Sequence, residues 1–164
     1  MPAPSKVLPG FAAALYCQPT TTPTPLTTAA LSTVATVAAL AVTANQLQVE
    51  AVPVFGQDDA VATFAVAGSR QSDKIPVQSA PTSLTVTAAW NPSDANLLLM
   101  RGDAATGTVD RTFVIAALDG AAAVYYAFNG RVSMFHIDSQ PGAEAKCVFS
   151  IHPRGNQFGW SNAA

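Results

Sequence analysis

Apolar and polar residues alternate most cleanly over residues 83–90, where Leu84, Val86, Ala88 and Trp90 share one face and Thr85 and Thr87 the other. A period of two is the signature of a half-buried strand. The same reading predicts strands over residues 111–118, 122–137 and 145–152. Asp119-Gly120, the run Ser139-Gln140-Pro141-Gly142 and the run His152-Pro153-Arg154-Gly155 break them with turn chemistry. Upstream, residues 10–17, 32–40, 46–55 and 60–67 are β-prone, with apolar side chains at alternate positions such as Leu47, Val49 and Ala51. Residues 68–80 are polar and loop-like, with brief pairing expected over 74–78. Asn91-Pro92-Ser93-Asp94 reads as a helix start: Asn91 to cap, Pro92 at the first position and Asp94 against the positive end. Leu97 to Met100 supply that helix's buried side and Gly102 its exit. The predicted fold is mainly β, an antiparallel β-sandwich or partly open barrel with one short helix after the Trp90 strand.

At 164 residues the chain is long enough for one domain with its own core. The expected organisation is an N-terminal arm and Thr/Pro linker over residues 1–31, a β core over 32–158 and a C-terminal tail over 159–164. Trp160 in that tail points to docking of the tail. Charged residues make up only 11% of the chain, against about 25% in ordinary soluble domains. Two explanations carry equal weight: part of the surface is covered by further copies of the chain, or the Ala/Thr-rich composition reflects the source. A net charge of -2 argues against a nucleic-acid grip, which takes a basic footprint. The interval between Lys6 and Glu50 carries no charge and is long enough to span a bilayer. It is rich in Thr and Ala and poor in Leu, Ile and Phe, so no membrane insertion is expected.

Candidate chemistry is sparse. Arg101-Gly102-Asp103 spells an adhesion tripeptide, but three residues match by chance and these sit at the predicted helix exit. His136 and His152 fall on separate strands without carboxylate or Cys at ligand spacing. Asp58 and Asp59 are adjacent, would point to opposite faces of a strand, and lie beside Gly56 and Gln57, which favours a solvated turn. Neither a nucleophile elbow nor a phosphate loop is present. The expectation is therefore no enzyme, no catalytic residues, no metal and no cofactor. Cys17 and Cys147 read as reduced, buried small hydrophobes, with pairing left open. In a monomeric binding module, Tyr125, Tyr126, Phe128 and Phe135 would form a sugar-stacking platform, although core packing explains most of them.

The order of residues over the second half carries a resemblance. RTFVI at 111–115, an aromatic strand running into FNGRVSMF at 128–135, a polar turn and EAKCVFSIHPRG at 144–155 resemble the major tail tube proteins of long-tailed bacteriophages. The similarity extends upstream through SLTVTAAWNPSD at 83–94 and fades before it. Asn129-Gly130 alone reads as a hairpin turn; the resemblance implies a long strand with a bulge there, and that is the expectation taken. The resemblance further implies a virion structural protein whose rings, commonly hexameric, stack into a hollow tube. Its implied partners are further copies of itself, a tape-measure protein and a tail terminator, with DNA passing an acidic lumen without specific binding. Its implied location is the phage tail, with assembly in the host cytoplasm. The segment 52–80, with Gln57, Asp58, Asp59, Arg70, Asp73 and Lys74, together with Trp160, is then the candidate for contacts between subunits or rings. A ring-forming tail terminator is the nearest alternative.

Overall fold

The computed structural model describes residues 12–26, 37–65, 72–119, 122–139, 142–154 and 159–162. Strands β1 (Ala12–Cys17), β2 (Gln46–Leu47), β5 (Leu84–Ala89), β6 (Asp110–Asp119), β7 (Ala122–Asp138), β8 (Lys146–Pro153) and β9 (Gly159–Asn162) form one sheet. Its order is β2-β1-β6-β7-β8-β5, every pairing is antiparallel, and β9 lies against β7. Strands β3 (Gln57–Ala65) and β4 (Ser72–Pro81) make a separate two-stranded hairpin. Helix α1 (Ala95–Thr106) joins β5 to β6. The mainly β architecture and the helix after the Trp90 strand are as expected.

The sheet is a partly open barrel because the chain after β2 reaches its far edge. Leu15 and Tyr16 of β1 pair with Leu47 and Gln46, and Val49 bridges Ala88 of β5. Glu50 N–H donates to Thr87 O at 2.9 Å and Ala89 N–H to Gln48 O at 3.2 Å. A Lys146–Glu50 ion pair at 2.5 Å ties β8 to the same stretch. Inside lie Leu15, Phe113, Ile115, Tyr126, Phe128, Leu84, Val86, Phe149 and Ile151, capped by Leu97 and Met100 of α1. Phe135 stacks on Phe149 at 5.9 Å and meets Trp90 edge-on at 5.7 Å, a geometry that favours aromatic pairs.

The strand predicted over 83–90 is β5, Leu84–Ala89, with Leu84, Val86 and Ala88 buried, Thr85 exposed and Thr87 half-buried; Ser83 and Trp90 lie just outside it. Residues 46–55 pair only at Gln46, Leu47 and Val49 and otherwise run irregularly, so that Val49, Val52 and Phe55 cover the core. Of the strand expected over 32–40, residues 32–36 lie outside the described residues. At its end a helical turn replaces extended chain, with Leu40 N–H donating to Val37 O and Ala41 N–H to Ala38 O. Of the polar stretch 68–80 expected as a loop with brief pairing over 74–78, residues 68–71 lie outside the described residues and the rest is strand β4.

Both ends of the helix differ from expectation. Asp94 is the cap: its Oδ1 accepts from Asn96 N at 2.8 Å and from Leu97 N at 3.4 Å. Asn91 instead closes a local turn by accepting from Ser93 N. The helix runs through Gly102 and ends at Gly107, whose φ of 63° is left-handed and whose N–H donates to Asp103 O. That conformation is one that glycine adopts freely.

Strand β7 passes straight through Asn129-Gly130, and the bulge predicted there lies further on. Register with β8 shifts between Ser133 and His136, and Met134 in that interval has a φ of 53°. Gly130 has a different role. It pairs with Arg111 on one side and Pro153 on the other, and an added Cβ would sit 3.0 Å from Ile151 Cγ2 and 3.2 Å from His152 O. Gly130→Ala is expected to destabilise the fold by about 1–3 kcal/mol through overpacking, measurable by urea unfolding; a midpoint equal to wild type would show that β8 gives way freely.

Candidate assembly surface

Beyond the barrel, residues 12–14 of β1, the C-terminal half of β6, the N-terminal half of β7 and β9 form a four-stranded wing. Rows across it run Leu15–Ile115–Tyr126–Trp160 and Ala14–Ala116–Tyr125–Ser161. Its outer edges are β1 before Leu15 and the side of β9 away from β7; neither has a strand partner among the described residues. Successive antiparallel pairings make β1 and β9 run in opposite directions. A β9 edge laid beside the β1 edge of a second copy in the same orientation would therefore pair in antiparallel sense.

The hairpin β3–β4 leaves the body at Gly56, where Thr82 N–H donates to Gly56 O at 3.2 Å. Among the described residues it pairs with no strand of the main sheet. Gln57, Asp58 and Asp59 lie at its base, opposite Pro81, Ala80 and Ser79. Asp73 and Lys74 lie toward its far end, opposite Phe64 and Thr63. The four or five residue steps from Asp59 to Thr63 and Phe64 separate the two groups by about 13–17 Å of strand. Asp58 and Asp59, expected in a turn, are therefore strand residues, while Arg70 lies outside the described residues. Trp160, expected to dock, is on β9 opposite Tyr126 of its own chain.

Sequence reading missed a polar network that holds α1, β6 and the N-terminal segment together. Arg111 is 3% exposed and Asp103 5%. The Arg111 guanidinium donates to both carboxylate oxygens of Asp103, the Nη2–Oδ1 bond measuring 2.8 Å, and from Nη1 to Pro19 O at 2.5 Å. Donating to the Asp103 carboxylate raises the Arg111 pKa and holds its charge. Next to it, the paired residues Thr112 and Asn129 grip the backbone of Thr24. Thr24 N–H donates to Thr112 Oγ1 at 2.9 Å, Asn129 Nδ2 to Thr24 O at 3.1 Å, and Thr112 Oγ1 to Asn129 Oδ1 at 2.8 Å. The only sequence signal was an Arg heading an otherwise apolar strand.

These positions answer several of the chemical candidates. Asp103 is buried in an ion pair, so Arg101-Gly102-Asp103 presents no adhesion carboxylate. Tyr126 and Phe128 are core residues and Tyr125 points to the opposite face, which dismantles the sugar platform. His152 is held between Ser83 Oγ at 2.8 Å and Ser133 Oγ at 2.6 Å. Cys17 and Cys147 are both buried and free; burial pushes the Cys17 thiol up to about 12. Among the described residues no group of three His, Cys, Asp or Glu is placed to hold a metal, and no helix is long and apolar enough to cross a membrane.

No family model matches the chain, and no curated protein does. Solved structures do. A chain in the cryo-EM structure of the anti-feeding prophage (AFP) baseplate, 6-fold symmetrised, is similar with a TM-score of 0.59 and 12% identity, over 98% of this chain and 97% of that one. A chain in the PVC sheath/tube terminator of an extracellular contractile injection system, in the extended state, gives 0.66 and 10%, over 99% and 100%. The SPP1 tail tube gives 0.56 and 12%, over 92% and 79%. The fold is tail-tube-like. At these identities the likeness is one of backbone arrangement, and it spans the wing and barrel together.

Proposed function

We propose that the chain is the structural subunit of a hollow phage-type tail tube. Copies join edge to edge through their wings into rings, hexameric as the resemblance implies, and rings stack into the conduit through which DNA is delivered. The observation that carries this reading is the wing with its two open edges of opposite direction. Exposed strand edges are an aggregation hazard for a monomer, and closure into a shared barrel removes them. A head-to-tail interface of this kind closes into a ring when the rotation permits. The hairpin β3–β4 supports the stacking step, because a two-stranded hairpin is marginal alone and gains stability by packing on a neighbour. Its Asp58, Asp59, Asp73 and Lys74 would set the register between copies more than the affinity. A tail terminator is the second reading, favoured by the full-length similarity to a sheath/tube terminator structure.

Negative-stain electron microscopy across a concentration series tests this directly. Hollow filaments of uniform width are expected for a tube subunit, isolated rings for a terminator, and particles that stay monomeric at high concentration would refute both. Replacing residues 57–81 with a two-residue Asn-Gly turn is geometrically mild, because Gly56 and Thr82 are already hydrogen-bonded neighbours. This variant is expected to form rings and lose filaments. Filaments of normal length would show that the hairpin is not the stacking contact.

A further inference from the structure

The two faces of the sheet, where the wing joins the barrel, are covered very differently. On the first face, Leu15, Phe113, Ile115, Tyr126 and Phe128 pack against α1, β5, β8 and the stretch ending at Phe55. On the second, the cover of Tyr16, Val114, Tyr125 and Ala127 among the described residues is a thin strap, residues 18–26 and 37–41, through Leu26, Val37, Leu40 and Ala41. The strap is bolted down. Besides the Thr24 clasp and the Arg111–Pro19 bond, Gln18 Nε2 donates to Leu40 O at 2.5 Å and Gln18 N–H to Thr112 O at 2.9 Å.

A ring joined through wing edges has a short inner and a long outer circumference. The thick layer of helix and strands must take the outer one, so the second face turns inward. We infer that the strap lines the bore and narrows it, and that what passes through meets this strap and not the bare strands. This rests on the ring reading above. The lining it provides is uncharged: Pro19, Thr20, Thr21, Thr22, Pro25 and Ala39 are its exposed residues, and residues 7–49 contain no Asp, Glu, Lys or Arg. A polyanion in transit would find neither the basic contacts that bind phosphates nor the acidic wall that the resemblance implies.

The test uses the full chain with one added cysteine, Thr22→Cys or Ala39→Cys on the two limbs of the strap, and Leu98→Cys on the exposed side of α1. Native Cys17 and Cys147 are buried and serve as the unlabelled background. Assembled particles are treated with biotin-maleimide, then with streptavidin, a folded protein far bulkier than the reagent, and viewed in negative stain. Streptavidin is expected along the walls of Leu98→Cys particles and to be lost from the walls of both strap variants, whose biotin becomes reachable after dissociation. Streptavidin along the wall of either strap variant would overturn the inference and leave the tube reading standing. Wild-type protein that forms no rings or tubes would overturn both.

Discussion

Deleting residues 159–164 is expected to abolish ring formation and leave a folded monomer. The barrel does not need β9: it is built from β1, β6, β7, β8 and β5 and closed by residues 46–50. The wing does. Without β9 its outer strand becomes β7, which runs in the same direction as β1. A neighbouring β1 would then have to pair in parallel, with slanted and slightly weaker hydrogen bonding, on a wing one strand narrower. Both changes spoil the closing angle. Sedimentation velocity beside circular dichroism separates the outcomes. A monomer with a native spectrum is the expected result, whereas rings of wild-type diameter would mean that β9 is not the joining edge.

Arg111→Met is expected to cost about 3–5 kcal/mol, since removing one partner of a buried ion pair strands the other's charge away from water. For a chain of this length that corresponds to a fall in Tm of roughly 6–20 °C. The loss is not confined to the pair, because the same guanidinium holds Pro19 O and hence the start of the strap. The double variant Asp103→Leu with Arg111→Met removes both charges, and is expected to recover most of the stability. Thermal unfolding of the three proteins decides the matter. If the double variant is no better than the single one, the Pro19 contact and not the stranded carboxylate carries the cost.

The legible parts of the fold were those where local chemistry and tertiary packing agree. The period of two over 83–90 survived because one face of β5 meets the core and the other does not. The long apolar run of β7 was recognisable, yet its bulge was displaced from Gly130 to the residues around Met134. Glycine signals either a bend or a close approach, and only the position of Ile151 shows that close approach is the reason here. The candidate contacts were legible as polar residues in a polar stretch, but their strand pairing was not. Asp58 and Asp59 have low strand propensity, and β3 exists through its partner β4.

By itself the sequence determined the class of structure and much of its chemistry. Alternating patterns made it antiparallel β, turn residues separated the strands, and an Asn-Pro-Ser-Asp run announced the helix. Tertiary structure decided which edges stay open, which face of the wing is thick, and that Asp103, Arg111, Thr112 and Asn129 act together. Those properties depend on residues as far apart in the chain as Thr24 and Asn129. Strand order and ion pairing across such separations are settled by how apolar surface is buried cooperatively, and no local window contains that information.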